Sequence, residues 1–518
     1  MTNFPDRSIW DSDRRTIELP LILGGRIVKS ADRQIHRLDY EHNIQVTVPA
    51  MEETDLELIS EQHAEIGVSL GELSTDEVTQ YLARVGERWL ARTSAARRLA
   101  DENSSSITGL PPSMLASDYE TLGHLLTGRF HTWEQIEAEF GNDRIFDEWV
   151  PRQMTWIRAF ARGLVVHYLV GNLPLAGLYS ILRGIISRNC TLAKLPTRDP
   201  LSVNAFAQAL IEEDPEHPIA LSLSVAYWPH EAKIGQQCLS AADAVCVWGG
   251  EDAVKTVRRS VRANVPVAEY GPRWSASVID LDQCNPDEAA LRLVEDVAFY
   301  DQEACFSSQR AFIHGGVAAL AAFREALPRY FDLFSQRHPS RASSSDALAN
   351  RAAAILEAGY LGLDVDEGFD WAIVMADEAT AITVTHPLTR TLVICLVESL
   401  SRVTLHLDKS TQTVGVFPWE LALRYRDDWA RAGAERLVPL GWSRLPRAGW
   451  THDGGYGMHP LVRLVSLERP RNEFGKHYPR PSDPMNWERR YLLGEQWAAA
   501  PPGMASVADV EAAMPRGG

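Results

Sequence analysis

Between about residues 164 and 270 the apolar positions come as short continuous runs: LVVHYLV (Leu164–Val170), CTLAKL (Cys190–Leu195), IALSLSVAYW (Ile219–Trp228), AVCVW (Ala244–Trp248) and VPVAEY (Val265–Tyr270). Runs of this kind predict strands buried on both faces. Helical spacing fills the intervals: Leu175 to about Arg188 with Asn189 as its C-terminal cap, Ser202–Glu213, Glu231–Ala241 and Ala253–Arg262. Strand and helix alternate five times at short spacing. That order requires right-handed crossovers and a doubly wound parallel sheet, an α/β fold. Such sheets bind ligands beyond the carboxyl ends of their strands.

The flanking segments are less regular. Upstream, LPLILGGRIV (Leu19–Val28) and NIQVTV (Asn43–Val48) predict strands. Ser74 and Glu77 form a capping box ahead of an apolar stripe at Val78, Tyr81, Leu82, Val85 and Trp89. Downstream, helical stripes at 286–300, 318–334 and 347–361 alternate with strand-like Asp370–Met375, Thr391–Val397 and Thr413–Phe417. The pattern divides the chain into a first α/β domain over 15–270, a second over 271–467, and an arm or tail over 468–518 rich in Pro, Arg and Gly.

Charge narrows the function classes. Lys and Arg total 51 against 69 Asp and Glu, a formal net charge of −18, which argues against a chain built to neutralise nucleic-acid phosphates. Leu164–Ile186 is apolar enough to resemble a membrane span, but His167, Asn172, Pro174 and Arg183 make it a buried strand and helix instead. The polar start, MTNFPDRSIWDSDRR, has no apolar core of a signal peptide, so a cytoplasmic location with reduced thiols is expected. None of the six cysteines (190, 238, 246, 284, 305, 395) is spaced as CxxC, and no metal site is expected.

Two places offer chemistry. Gly249–Gly250 stand where a strand becomes a helix, and free N–H groups there suit a pyrophosphate, although a plain tight turn is the commoner reason for such a pair. The GxGxxG fingerprint is absent. Cys305 sits in polar DQEACFSSQR rather than in an apolar strand, which separates it from Cys190, Cys246 and Cys395. Most free cysteines end as small buried residues; one placed after a nucleotide-binding sheet is a candidate nucleophile.

Several stretches line up in order with the aldehyde dehydrogenase superfamily. VVHYLVGNLPLAGLYSILRGIISRNCTLAKLPTRDP resembles its strand, Asn-x-Pro turn and lysine-ended strand; VAEYGPRWSASVI resembles its glutamate segment and YDQEACFSSQR its nucleophile segment. With IELPLILGGRIV, TQTVGV and WTHDGGYGMHPLVRLVSLE, the set most resembles the LuxC-type acyl-CoA reductase (fatty acid reductase) family over residues 15–468.

The resemblance implies an NADPH-dependent reductase that turns an acyl-CoA or carrier-protein-bound acyl group into an aldehyde through a cysteine thioester. An aldehyde dehydrogenase working oxidatively, or a non-catalytic scaffold for an acyl-activating partner, are its alternatives. Cys305 matches the nucleophile, Asn172 the oxyanion donor, Glu269 the general base and Lys194 the lysine of the adenosine ribose, while Gly249 and Gly250 fall near the pyrophosphate turn. Where relatives that prefer NAD carry a ribose-binding glutamate, Thr197 and Arg198 stand, which favours a 2′-phosphate and hence NADPH. Plainer roles exist for each: Asn172 as a helix cap, Lys194 as a snorkelling surface lysine, Glu269 as a solvated strand-end carboxylate, Arg198 as a surface charge. The glutamate that grips the nicotinamide ribose has no counterpart in VTHPLTRT (384–391), where His386 is the substitute on offer; His452–Asp453 suggests either a proton relay or, more commonly for such a sequence, a structural HDGG turn. The resemblance also implies homo-oligomers and an acyl-protein synthetase partner.

Overall fold

The apolar runs become the centre of a seven-stranded sheet. The computed structural model describes residues 14–28, 33–128, 131–152, 155–340, 345–380, 386–445 and 447–468, so the arm expected over 468–518 lies, beyond its first residue, outside the described residues. In chain order the first sheet uses β1 (Leu21–Leu23), β2 (Arg26–Val28), β3 (Leu164–Tyr168), β4 (Cys190–Lys194), β5 (Leu223–Ala226), β6 (Ala244–Trp248) and β7 (Val267–Tyr270). They lie side by side as β7-β6-β3-β4-β5-β1-β2, parallel from β7 to β5. Beyond β5 the sheet turns antiparallel.

Three local expectations are revised. Leu19–Val28 is a hairpin rather than a run of strand, because Gly24 and Gly25 adopt φ of 50° and 69°, as a two-residue turn requires. Ile219–Trp228 begins as a helical turn, Pro218–Leu221, since the His217 ring accepts the Ile219 N–H and Pro218 suits the first helical position. At the end of the helix Pro174–Ile186 it is Arg188, not Asn189, that takes the left-handed conformation; the Asn189 backbone N–H closes the helix on the Gly184 carbonyl at 3.0 Å, while its amide oxygen accepts the N–H groups of Arg162 and Gly163.

The second sheet contains β8 (Trp274–Asp280), β9 (Ser308–His314), β10 (Asp364–Glu367), β11 (Ala372–Asp377), β12 (Thr391–Leu396), β13 (Thr411–Phe417) and β14 (Arg436–Pro439), ordered β10-β11-β12-β9-β8-β13-β14. Only β10 is antiparallel to its neighbour. Successive residues feed opposite faces, with period two. Val278, Phe312 and Val393 join the core under Trp429, whereas Ile279, Ile313 and Ile394 join the core under Phe323 and Phe331. The Ser74–Glu77 capping box is present. No helix among the described residues is long and apolar enough to cross a membrane.

Among the described residues, one compact unit holds those from 14 to 143 together with those from 160 to 463, both large sheets included; those from 144 to 159 and from 464 to 468 form another. In the latter, Val150 and Pro151 pair antiparallel with Ile157 and Trp156.

Candidate active site

From β3 the chain proceeds outward through β4 and β5 on one side, then returns to place β6 and β7 on the other. The crevice between the carboxyl ends of β3 and β6 is therefore the switch point at which such sheets bind ligands. A cleft of about 480 Å³ opens there, lined by Gly171 and Asn172 after β3, Trp248–Gly250 after β6, and Tyr270–Arg273 after β7, together with Gln302–Cys305, Leu388 and His452. Local sequence shapes this wall. Gly171 permits close packing, since a Cβ there would sit 2.7 Å from both the Arg198 Cβ and the Asp199 nitrogen. Gly250 precedes the helix Glu251–Ser260 without a side-chain cap, and nothing lies within 4 Å of where its Cβ would be, so first-turn N–H groups remain approachable.

The facing wall is a strained turn. Tyr300, Asp301 and Gln302 all have left-handed backbones, φ of 56°, 51° and 67°, a conformation costing roughly 1–2 kcal/mol per residue. Tertiary contacts hold it. The Tyr300 hydroxyl donates to the buried Asp118 carboxylate. Asp301 accepts from the buried Arg390 at 2.7 Å, and Arg390 also reaches Asp370 and the His338 carbonyl, each at 2.7 Å. The Gln302 amide spans Ser308 and Thr391, donating to both carbonyls at 2.7 Å and accepting the Thr391 N–H at 2.9 Å. Three residues on, the Cys305 carbonyl accepts the Ser275 hydroxyl at 2.7 Å.

Cys305 is partly exposed, whereas Cys190, Cys238, Cys246 and Cys395 are buried. Loss of solvent pushes the Cys305 thiol up to about 11, opposed by a hydrogen bond from Gln412. Burial pushes the other five thiols up as well, to about 12. Gln412 also donates to Asp453 at 2.9 Å, whose carboxylate lies 3.2 Å from His452 Nδ1 and 3.7 Å from Arg273. Burial alone would raise Asp453, but His452, Gln412 and Arg273 outweigh it and hold the carboxyl below its ordinary value. The His452 ring meets Trp248 and Tyr270 edge-on, while those two stack at 3.9 Å.

The model of the acyl-CoA reductase (LuxC) family matches residues 70–466. The chain belongs to the LuxC acyl-CoA reductase family. The long-chain acyl-protein thioester reductase of Vibrio harveyi is 31% identical over 467 residues, covering 88% of this chain and 94% of that protein. The enzyme of the same name from Aliivibrio fischeri is 32% identical over 403 residues, 77% and 84% of the two chains. Among solved structures, an aldehyde dehydrogenase from Brucella melitensis biovar abortus 2308 superposes with a TM-score of 0.68 at 12% identity, over 90% of this chain and 99% of that one. The NADP-dependent glyceraldehyde-3-phosphate dehydrogenase of Bacillus halodurans C-125, solved with NADP, gives 0.64 at 14% identity, over 87% and 99%. The fold is that of the aldehyde dehydrogenases.

Within this LuxC-family chain, Cys305, Asn172, Arg198, Gly249 and Gly250 all line the cleft. Asn172 spends one amide N–H on the Glu303 carbonyl at 3.0 Å, which leaves the second for another acceptor. Arg198 is turned toward the nucleophile segment, 2.5 Å from Glu303. Thr197 lies apart from it, 3.4 Å from the Tyr227 hydroxyl. Lys194 is outside the cleft lining, with its ammonium 5.6 Å and 6.0 Å from the rings of Tyr227 and Trp228. It forms no ion pair among the described residues, and burial lowers it to about 8.

Glu269 is not brought to the cleft. It sits on β7 one residue before Tyr270, so its side chain leaves on the opposite face and pairs with Arg258. His386 is likewise committed elsewhere. One ring nitrogen meets the Gln309 carbonyl at 3.0 Å, the other accepts the Leu388 N–H at 3.1 Å, and burial lowers it to about 3, so it is a neutral structural residue. His452–Asp453 does form a turn, with His452 and Gly455 exchanging backbone bonds, and it also lies in the site. Gln412 was missed outright. Its signal was a polar residue inside the apolar strand TQTVGV, and it is 4% exposed.

Proposed function

We propose that this chain reduces an acyl thioester, CoA- or carrier-bound, to an aldehyde at the expense of NADPH, with 15–270 as cofactor domain and 271–467 as catalytic domain. One observation carries the reading: Cys305 lines the same cleft as the open glycine turn at the sheet's switch point, whereas Cys190, Cys238, Cys246 and Cys395 are buried. The residues fit a dinucleotide. Gly250 leaves its helix start open to a phosphate, and Lys194 has no carboxylate partner among the described residues. Thr197 places no carboxylate against a 2′-phosphate, which supports NADPH over NADH.

The Cys305 sulfur attacks the thioester carbonyl, the carbon–sulfur bond to CoA or carrier breaks, and the freed thiol departs with a proton. Gln412 shares its amide between that sulfur and Asp453, which steadies the thiolate as it forms. The second N–H of Asn172 is available for the oxyanion, a donor typically worth ~3–4 kcal/mol. When bound, the reduced nicotinamide supplies hydride to the acyl carbon. Collapse of the resulting thiohemiacetal returns the electron pair to Cys305 and frees the aldehyde. Glu269 has no proton to move in this sequence, which agrees with its pairing to Arg258.

The resemblance further supports homo-oligomers and an acyl-protein synthetase as acyl donor. The test is nicotinamide oxidation by a panel of acyl-CoAs and acyl carriers, with the aldehyde identified by mass and the acyl group located on Cys305. Aldehyde production without an acyl-Cys305 species, or NADH equal to NADPH, would overturn the corresponding part.

A further inference from the structure

The acylation of Cys305 leaves one proton without a carrier. The thiol must lose it to attack, the departing thiol must gain it, and Glu269 is held by Arg258 away from the cleft. Burial, with a smaller push from Asp453, raises the Cys305 thiol to about 11, so at pH 7 roughly one in 10⁴ is ionised. A base beside the sulfur is therefore required.

Two spaces meet at Cys305: the cleft with the glycine turn, and a narrower cavity of about 50 Å³. They have four wall residues in common, Leu173, Trp248, Cys305 and His452. Neither Leu173 nor Trp248 carries a group that takes up a proton, so His452 is the one base at that junction.

A chain of contacts ties the ring to the sulfur independently. Gln412 hydrogen-bonds the Cys305 sulfur and donates to Asp453 Oδ1 at 2.9 Å, and the same oxygen lies 3.2 Å from His452 Nδ1. A carboxylate only accepts, so this contact assigns the ring proton to Nδ1 and leaves Nε2 as an acceptor. Among the described residues, no other group hydrogen-bonds the ring. Its position is fixed by backbone bonds exchanged with Gly455 at 2.8 and 3.1 Å, and by the rings of Trp248, Tyr270 and Trp450 with centroids 5.0, 4.8 and 5.4 Å away.

The charges that face His452 are Asp453, which favours the protonated ring, and Arg183 and Arg436, which oppose it. Arg273 stands 3.7 Å behind Asp453 and 3.4 Å from Glu435. Burial is the largest influence, and the ring is held below its ordinary value, neutral at pH 7 and ready to accept a proton.

Resting on the thioester-reductase reading, we propose that His452 is the general base of the acylation step, oriented by Asp453. Nε2 takes the Cys305 proton as the sulfur forms its bond to the acyl carbon. When the tetrahedral intermediate collapses, the carbon–sulfur bond to CoA or carrier breaks with its electron pair on the leaving sulfur, and the imidazolium returns the proton to it. The Cys305 thiolate left when the aldehyde departs takes one proton from solvent, which closes the cycle.

The experiment follows acylation alone: the full chain and decanoyl-CoA, without NADPH, quenched at intervals and read as acylated protein by mass from pH 5.5 to 10. Wild-type rates should be level from pH 7 to 9 and fall about tenfold per unit once the ring is protonated. His452→Gln should acylate ~10²–10³-fold more slowly at pH 7, then gain about tenfold per pH unit as the thiol itself ionises, so that the deficit closes toward pH 10. A side chain that only props up the pocket costs the same factor at every pH. Asp453→Asn, which no longer fixes the tautomer, should lose at least ~10-fold at pH 7. NADPH binding, retained in both variants, shows that they fold. A His452→Gln protein within about twofold of wild type at pH 7, or a deficit constant from pH 7 to 10, overturns the proposal. Failure of wild-type Cys305 to be acylated by any thioester at any pH would defeat the reductase reading, and the proposal with it.

Discussion

The two walls of the cleft are built on opposite principles. The wall from the first sheet is mainly backbone: Gly171, Gly249 and Gly250 follow strands directly, and their geometry depends on neighbours a few residues away. The wall from the second sheet is side chain. Its left-handed turn at Tyr300–Gln302 persists because Asp118, Arg390 and Thr391, between 89 and 182 residues distant along the chain, hold it. A neighbouring left-handed stretch, Leu388–Arg390 with φ of 61°, 51° and 55°, supplies the clamp. A surface that must accept phosphate can be made from short-range rules; a surface that must hold a nucleophile at one angle requires long-range ones.

The contrast is broken most severely at Cys305 itself. Cys305→Ala should reduce aldehyde formation at least ~10³-fold, as loss of a covalent nucleophile does, with cofactor binding retained by the other wall. Acyl transfer to another cysteine, read by peptide mass, would refute the assignment. Next comes the clamp. Arg390→Met leaves Asp301 and Asp370 facing each other without their cation, a change costing about 4 kcal/mol. Denaturant unfolding should register that loss, and acyl-enzyme formation should slow while NADPH affinity changes little. Unaltered stability would show that the turn stands without its clamp.

Lys194, outside the cleft lining, tests the first sheet. Its amine is held at about 8 against an ordinary 10.5. Between those pH values the unfolded chain carries a proton the native chain has released, so this group adds stability as pH rises from about 8 to 10.5, and below about 8 the full cost of burying charge remains. Lys194→Met should therefore stabilise the apo protein by about 2 kcal/mol at neutral pH, flatten that alkaline rise, and weaken NADPH binding. A destabilised variant would refute the sign. The smallest effect is expected at Glu269, where Glu269→Gln loses only a surface pair with Arg258 and should keep kcat/KM within roughly twofold. A drop of ~10²-fold, the signature of a lost general base, would return Glu269 to the chemistry.

What could be read from the residues was whatever repeats at short range. The buried runs, the strand–helix alternation, the Ser74–Glu77 capping box and the glycine pair at 249–250 follow from patterns of two to about ten residues. The polar context of Cys305 makes it a candidate, but its role and that of Asn172 rest on ordered family motifs. The partners were not legible. Nothing in TQTVGV declares that Gln412 reaches Cys305, nor does HDGG declare that Asp453 joins it, because both depend on β13 lying beside β8. Glu269 was misleading for a related reason: strand periodicity says that neighbours face opposite ways, but only the assembled sheet shows that Tyr270 has the cleft and Glu269 has Arg258. Arg183 shows the limit most clearly. In sequence it is a charge that makes a membrane span too costly; in the fold it is a cation 3% exposed and laid over the Tyr179 ring, since burial and packing partners are properties that no local pattern encodes.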